Sequence, residues 1–561
     1  MMWAVLGLVV AALLACGSSP SANGPPQFVD RGWAAGLLDS TVGGPVGEKI
    51  HILEANTGGA ALVDIDADGD LDVFLVNGWR FGLDPAAADA PSARLYRNQG
   101  DWTFVDVTRA SGIAHRGWGM GCAAWDADGD GWTDLFLSVA GQDVYYHNEG
   151  DGHFVARDDA RFGDGGWTTG IGAADFDGDG DVDVYLAHYV DLPTALARVE
   201  PDGAPPPCTW RGVAAFCGPA GMPGAADLLQ FVDAAGVYQD HSDRLQPWPQ
   251  YFGLGVIAGD FDADGDADIY VADDSMPNLL YRNSKARFED IATTAGVAVS
   301  MDGRQQAGMG IAAGDVDGDG RVDFVVSNFS HDHVSIYTSR GPALWEDASY
   351  AHDVGRRTLA TLGWGMGLFD ADNDADVDLF VANGHVYPDV GGAGIGTSYR
   401  QMNQFFDNEG GILRDLSRQS GPGLQVEQSS RGAAFGDLDD DGDVDVLVIN
   451  LDATPSLLFN EGGNRQGWLS VQLQGRGKNR SAIGASVEVT ANGRRQRREV
   501  RAGTGYLSQD DHRLHFGLGT ATVAVVRVRW PNGAWQDIGE VAARQQLHVL
   551  WRDADVTPLG E

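Results

Sequence analysis

Basic side chains are scarce in this chain. Its 561 residues hold 38 Lys and Arg against 80 Asp and Glu, a formal net charge of −42. A surface so acidic repels phosphates, which excludes nucleic acid as a partner. Cysteine is rarer still, with four residues and no C-x-x-C spacing, so a thiolate metal site is excluded. Apart from Met1–Ala15 there is no long apolar run, so no other segment can cross a bilayer as a helix. No G-x-S-x-G elbow, H-E-x-x-H pair, phosphate-cradling P-loop or C-x-x-C-H occurs, and no G-x-G-x-x-G opens a helix. Aliphatic and aromatic residues are not lacking. At 43% hydrophobic, the chain can bury cores and is no acidic disordered polymer.

The N-terminal run is too short to span and has the length of a signal-peptide core. It ends Leu13-Leu14-Ala15-Cys16-Gly17 and passes into a Ser/Pro/Gly-rich stretch. This resembles a bacterial lipoprotein signal. It implies cleavage after residue 15, a diacylglycerol on Cys16, a tether over 16–27 and residence on the cell envelope, at the outer membrane. The lipid is then the chain's one membrane contact. In an exported chain Cys208 and Cys217, nine apart in a Pro/Gly-rich loop, read as a disulfide. Cys122 sits in an apolar stretch and reads as a buried thiol.

What the sequence has in excess is one loop, D-x-D-x-D-(G)-x-x-D, repeated seven times. Positions 1, 3, 5 and 9 are Asp64, Asp66, Asp68 and Asp72 in the first copy, and Asp126, Asp128, Asp130 and Asp134 in the second. The third has Asp175, Asp177, Asp179 and Asp183, the fourth Asp260, Asp262, Asp264 and Asp268, and the fifth Asp315, Asp317, Asp319 and Asp323. The sixth has Asp370, Asp372, Asp374 and Asp378, and the seventh Asp437, Asp439, Asp441 and Asp445. Calcium takes six to eight oxygen ligands, and short Asp side chains at alternate positions of a tight loop can all point inward. Position 7 can add a backbone carbonyl: Asp70, Trp132, Asp181, Asp266, Arg321, Asp376 and Asp443. Position 6 is Gly in six copies, where a sharp turn needs positive φ, and Ala375 in the sixth, where strain is expected. An EF-hand needs an acidic residue at position 12, but here that position is Leu or Val in every copy. Up to seven Ca²⁺ are expected; a full set would bring −42 to −28.

Each loop runs into an apolar segment of strand length, such as VFLV, VYLA or LFVA. A second element recurs in phase, an apolar residue, a spacer and Asp, as in Phe28-Val29-Asp30 and Phe104-Val105-Asp106. The first such element precedes the first loop and none follows the last, so the N-terminal strand is expected to complete the seventh repeat beside residues 456–460. Residues 28–463 are thus expected to form an all-β, seven-bladed propeller with calcium loops, about 62 residues per blade. Residues 464–551 read as a separate small, sandwich-like β domain, followed by a tail over 552–561. That domain carries 13 Lys and Arg against 6 Asp and Glu, a net of +7, densest at Arg494-Arg495-Gln496-Arg497-Arg498. Docking onto the acidic propeller or an anionic envelope surface would use that charge.

The loops resemble FG-GAP or VCBS repeats. Segments NRQGWLSVQLQGRGKNRSAIGASVEV, REVRAGTGYLSQDDHRLHFGLG and VRVRWPNG look like the ASPIC and UnbV domain. The two together resemble the cartilage-acidic-protein-like family, including its bacterial members. The resemblance implies a calcium-binding, extracellular adhesion or interaction protein.

The strands after the loops end in Asn77, His188, Asp273, Asn328, Asn383 and Asn450, and His385 follows in a long insertion. These residues suggest a polar ring at the channel mouth that would take a glycan or a protein; turn capping by Asn and Asp is the alternative. An envelope enzyme on anionic polysaccharide and a scaffold within a lipoprotein complex are the other two roles open.

Overall fold

The computed structural model describes residues 24–84, 87, 90–198, 208–552 and, as backbone only, 556–557. The signal segment and Cys16 lie outside the described residues; among the described residues no helix is long and apolar enough to cross a membrane.

Blade 1 is an antiparallel sheet of Ala60–Val63, Asp72–Leu75, Arg94–Asn98 and Phe104–Asp106, in that order. Six more sheets repeat the plan behind the inner strands Gly119–Trp125, Thr168–Ala174, Gly253–Gly259, Gly308–Gly314, Gly363–Phe369 and Ser430–Gly436. Each inner strand packs on those of the blades either side, and blade 7 returns to blade 1. The outer strand of blade 7 is Gln27–Asp30, which pairs with Ser456–Glu461 and sets Phe28 opposite Asn460. Ring closure leaves no open sheet edge between the first and last repeats.

The glycine excess has a local cause. Five residues before every loop stands Gly59, Gly121, Gly170, Gly255, Gly310, Gly365 or Gly432. A Cβ on Gly255 would lie 2.3 Å from the Met309 carbonyl oxygen, and one on Gly310 2.3 Å from that of Trp364. The inner strands crowd the axis so closely that only hydrogen fits between neighbouring blades.

The C-terminal domain has two sheets. Gly467–Gln474 lies between Leu514–Gly519 and Gln545–Leu550 in one; Ser486–Ala491 and Val523–Arg529 form the middle of the other. Its apolar interior, with Leu469, Val487, Phe516 and Val526, runs without a break into that of blades 2 and 3 at Trp125, Phe136 and Val184. Its loop 500–513 enters the centre of the ring. The Leu62 N–H donates to the Gln509 carbonyl at 3.1 Å, Cys122 to Leu507 at 3.1 Å, Ala173 to Ala502 at 3.1 Å and Ile311 to Gly505 at 3.1 Å. Asp511 donates to the Phe435 carbonyl at 3.0 Å. Five blades thus share main-chain bonds with one loop, which fills the axis.

Candidate metal centre

Two residues of each loop take left-handed backbone, and their φ values fix its shape. Position 6 has φ between 83° and 104° in all seven copies, Ala375 included at 83°. Position 4 is also left-handed throughout: Ala67, Gly129, Gly178, Ala263, Gly318, Asn373 and Asp440, with φ from 54° to 80°. The signal for the second turn was present, since five of these are Gly, Asn or Asp, the residues that tolerate this conformation.

The turns fold the backbone around the first carboxylate. Asp175 accepts N–H bonds from Gly178, Asp179 and Gly180 at 2.8–3.1 Å, and Asp370 from Asp374 and Ala375 at 3.0 and 2.8 Å. Carboxylate oxygens of Asp64, Asp66 and Asp72 come within 4.8 Å of one another, as do those of Asp126, Asp128 and Asp130, of Asp175, Asp177 and Asp183, and of Asp260, Asp262 and Asp264.

Position 9 has a second duty. In every loop one of its oxygens accepts the N–H of position 2, and the other accepts the N–H of a residue on the third strand. For Asp72 these donors are Ile65 at 3.0 Å and Asn98 at 2.8 Å; for Asp445 they are Leu438 at 3.0 Å and Asn460 at 2.9 Å. That third-strand residue is Asn in five blades, and its side chain reaches the loop of the preceding blade. Asn148 donates to the Ile65 carbonyl at 2.9 Å, Asn283 to Phe176 at 2.9 Å, Asn408 to Val316 at 2.9 Å and Asn460 to Ala371 at 2.7 Å. Asn98 links blade 1 back to blade 7 by donating to Leu438 at 3.4 Å. The strand-end Asn was visible in LYRN and LLYRN, but its partner lies a whole blade away in sequence.

The donor set fits a hard cation. It is all oxygen and mostly carboxylate. Burial pushes Asp72 and Asp183 up to about 8 and Asp323 to about 7, against the pull of their backbone N–H donors. Buried oxygens of Asp64, Asp66, Asp260 and Asp317 have no hydrogen-bond partner. Clustered carboxylates with unsatisfied oxygens are costly unless a cation sits among them. The sixth loop carries an addition that the repeat pattern did not show. Asp407 occupies the place that Arg97, His147 and Arg282 take in blades 1, 2 and 4, and its charge bears on Asp372 and Asp378. In the others, Arg97 lies 3.7 Å from Asp66 and His147 3.1 Å from Asp134, and the charge of Arg282 acts on Asp262.

The basic C-terminal domain sits on this face of the ring. Lys478 meets Asp181 at 2.5 Å, Arg529 meets Asp260 at 2.7 Å, Arg513 meets Asp440 at 2.8 Å and Arg494 meets Asp376 at 3.5 Å. Of the two docking surfaces expected for its charge, the propeller is the one engaged.

The polar ring at the opposite mouth is corrected by the structure. Asn77, His188, Asp273, Asn328, Asn383, Asn450 and His385 are all buried, none above 7% exposure. The asparagines tie their own turns: Asn328 Nδ2 donates to the His333 carbonyl at 2.7 Å, Asn383 Nδ2 to Met402 at 3.0 Å and Asn450 Nδ2 to Thr454 at 3.0 Å. Asn77 accepts the Val42 N–H at 2.7 Å. His188 is enclosed by Thr168 and Asp164, and both oxygens of Asp273 are buried without a partner. His385 is packed among Trp210, Phe329 and Tyr387, and burial drives it down to about 3. The long insertions meet in an apolar cap with Leu53, Trp167, Phe216 and Tyr387, so among the described residues the mouth holds no open polar ring. Cys208 and Cys217 are disulfide-bonded within that cap, Cα atoms 5.2 Å apart, and Cys122 is a buried free thiol.

A model of the FG-GAP-like repeat matches residues 64–137, 126–186 and 260–326, and the ASPIC and UnbV model matches 475–556. The chain joins FG-GAP-like repeats to an ASPIC and UnbV domain. Human cartilage acidic protein 1 is 28% identical over 320 residues, 54% of this chain and 45% of the relative. The mouse protein is 28% identical over 294 residues, 50% of this chain and 42% of that one. The chain spans less than half the length of these curated relatives. Among solved structures, it is similar to an Agrocybe aegerita lectin specific for non-reducing terminal N-acetylglucosamine, at 15% identity and a TM-score of 0.37, covering 64% of this chain and 79% of the lectin.

Proposed function

We propose that this chain is an exported, calcium-stabilised ligand-binding module, tethered to the envelope through a lipid on Cys16, with a glycan or an extracellular protein as its ligand. The observation that carries the reading is the sevenfold loop, whose buried carboxylate oxygens lack any protein partner at several positions. In this reading positions 1, 3, 5 and 9 hold Ca²⁺ with the position 7 carbonyl. The ion neutralises the loop and fixes the blade ends. The metal serves stability, and the rigid ring presents the binding surface.

Calorimetric melting of residues 17–561 with calcium and with EDTA tests the metal. A ligand that binds only the native state stabilises it by about 2.7 kcal/mol per site at a hundredfold excess over Kd. A large fall of Tm in EDTA is expected, and an unchanged Tm at low salt would falsify the calcium reading. A glycan array probed under both conditions, followed by pull-down from envelope extracts, separates a carbohydrate ligand from a protein one.

A further inference from the structure

Between the loop face of the propeller and the C-terminal domain lies a cavity of about 330 Å³. Its walls differ in chemistry. The propeller side sets apolar Phe261, Ile311, Met366 and Phe435 among the loop carboxylates Asp260, Asp315, Asp370 and Asp437. The opposite side is the basic strand Arg494–Glu499 and the segment that follows it. Half-exposed Arg321, Arg494 and Arg495 stand at the rim, each paired with one carboxylate. Inside, Arg498 is different. Among the described residues its side chain makes no ion pair and no hydrogen bond; its Nε is buried without a partner, and its guanidinium lies 5.4 Å from the centre of the Phe516 ring. The Nε of the neighbouring Arg501 also lacks a partner. His515 donates from Nε2 to Asn373 Oδ1 at 2.7 Å, which leaves Nδ1, also without a partner, as an acceptor.

A guanidinium withdrawn from water without an anion is costly. The carboxylates whose charge acts on Arg498 are Asp370, Asp315 and Asp378, all in the loops. On the reading proposed above those three serve calcium, which leaves Arg498 with no counter-ion of its own. We propose that the cavity takes a sugar-sized organic oxyanion, a carboxylate or a phosphate ester, whose anionic group pairs with Arg498 and whose apolar face rests on Phe261, Ile311 and Met366. Arg suits such a group because its fork matches both anions. The volume is at the lower end of ligand pockets, which run from about 300 Å³. A neutral His515 adds an acceptor for a ligand hydroxyl.

The test is calorimetric titration of the calcium-loaded chain with glucuronate, glucose 6-phosphate and glucose. Binding of at least one charged sugar, ten or more times tighter than glucose, is expected; which one binds separates a uronate ligand from a sugar phosphate. Arg498→Met should weaken that binding at least tenfold, and Arg498→Lys less, at unchanged calcium stoichiometry. Equal affinity for glucose, or an Arg498→Met protein that binds as well as the parent, overturns the site. If Arg498→Met does not fold, the selectivity of the parent chain over glucose and displacement of the sugar by inorganic phosphate decide. Calcium without any sugar anion bound defeats the cavity alone. Sugar anion bound with no calcium uptake defeats the calcium reading and keeps the cavity.

Discussion

Asn460 on the third strand of blade 7 gives its side-chain amide to the carbonyl of Ala371, the second residue of the loop of blade 6, at 2.7 Å. The same residue's N–H braces Asp445 in its own loop at 2.9 Å. One residue, by its side chain and its main chain, therefore couples two candidate metal loops. Asn460→Ala leaves the buried Ala371 carbonyl without that donor and should cost about 1–3 kcal/mol in urea unfolding. An unchanged midpoint would show that the interblade bond carries no stability.

Ala375 holds φ of 83° where six loops have Gly. Removing its Cβ relieves a left-handed strain of about 1 kcal/mol, so Ala375→Gly should raise stability modestly. The reverse change at Gly442 should destabilise sharply, because φ is 95° and a Cβ would lie 2.0 Å from Trp468. Paired denaturation curves check both signs; if Ala375→Gly lowers stability, the strain argument is wrong.

The axial loop hinges on Gly503. Its φ is 79°, and a Cβ there would come within 1.7 Å of the Ile171 carbonyl oxygen. Gly503→Ala should displace the loop, lower stability by about 3 kcal/mol or more and expose residues 462–466 to protease. Gly391→Ala, with no atom within 4 Å of the new Cβ, is the control. Equal protease resistance of the two variants would show that the plug does not hold the domains together.

His188 supplies a pH dependence away from the loops. Burial opposes its charge, but Asp164 at 3.2 Å, with Asp227 and Asp143, raises it above the ordinary value. Burial also raises Asp227 to about 6 and Asp143 to about 7. All three bind protons more tightly folded than unfolded, so their stabilisation is present at low pH and is lost as pH rises through the folded values. His188→Gln should cost more at pH 5.5 than at pH 8 in matched urea titrations. A pH-independent difference would rule out a charged His188.

Much of this architecture was legible because the loops are local. Nine residues carry their own turn and their own carboxylates, so counting copies gave the blades, and the odd phase of Phe28 located the closing strand. Position 4 was also readable from Gly129, Gly178, Gly318, Asn373 and Asp440. Burial at the strand ends was not. Asn328 and Asn450 look the same in sequence whether they cap a turn or face a ligand, and only the folded packing that buries them decides. Asp407 and Arg498 were hidden for a similar reason. Each lies outside the repeat motif: Asp407 meets the loop of its own blade only through strand pairing, and Arg498 is enclosed only when the second domain packs on the ring.

The loop at the axis also bears on how the molecule comes together. The ring needs Gln27–Asp30 beside Ser456–Glu461. Its centre needs residues 500–513, which emerge from synthesis later still. Neither contact can form while the chain is half made, and both join segments far apart in sequence, which slows folding. The hub is therefore made of chain that follows the whole wheel, and it fastens five of the seven spokes.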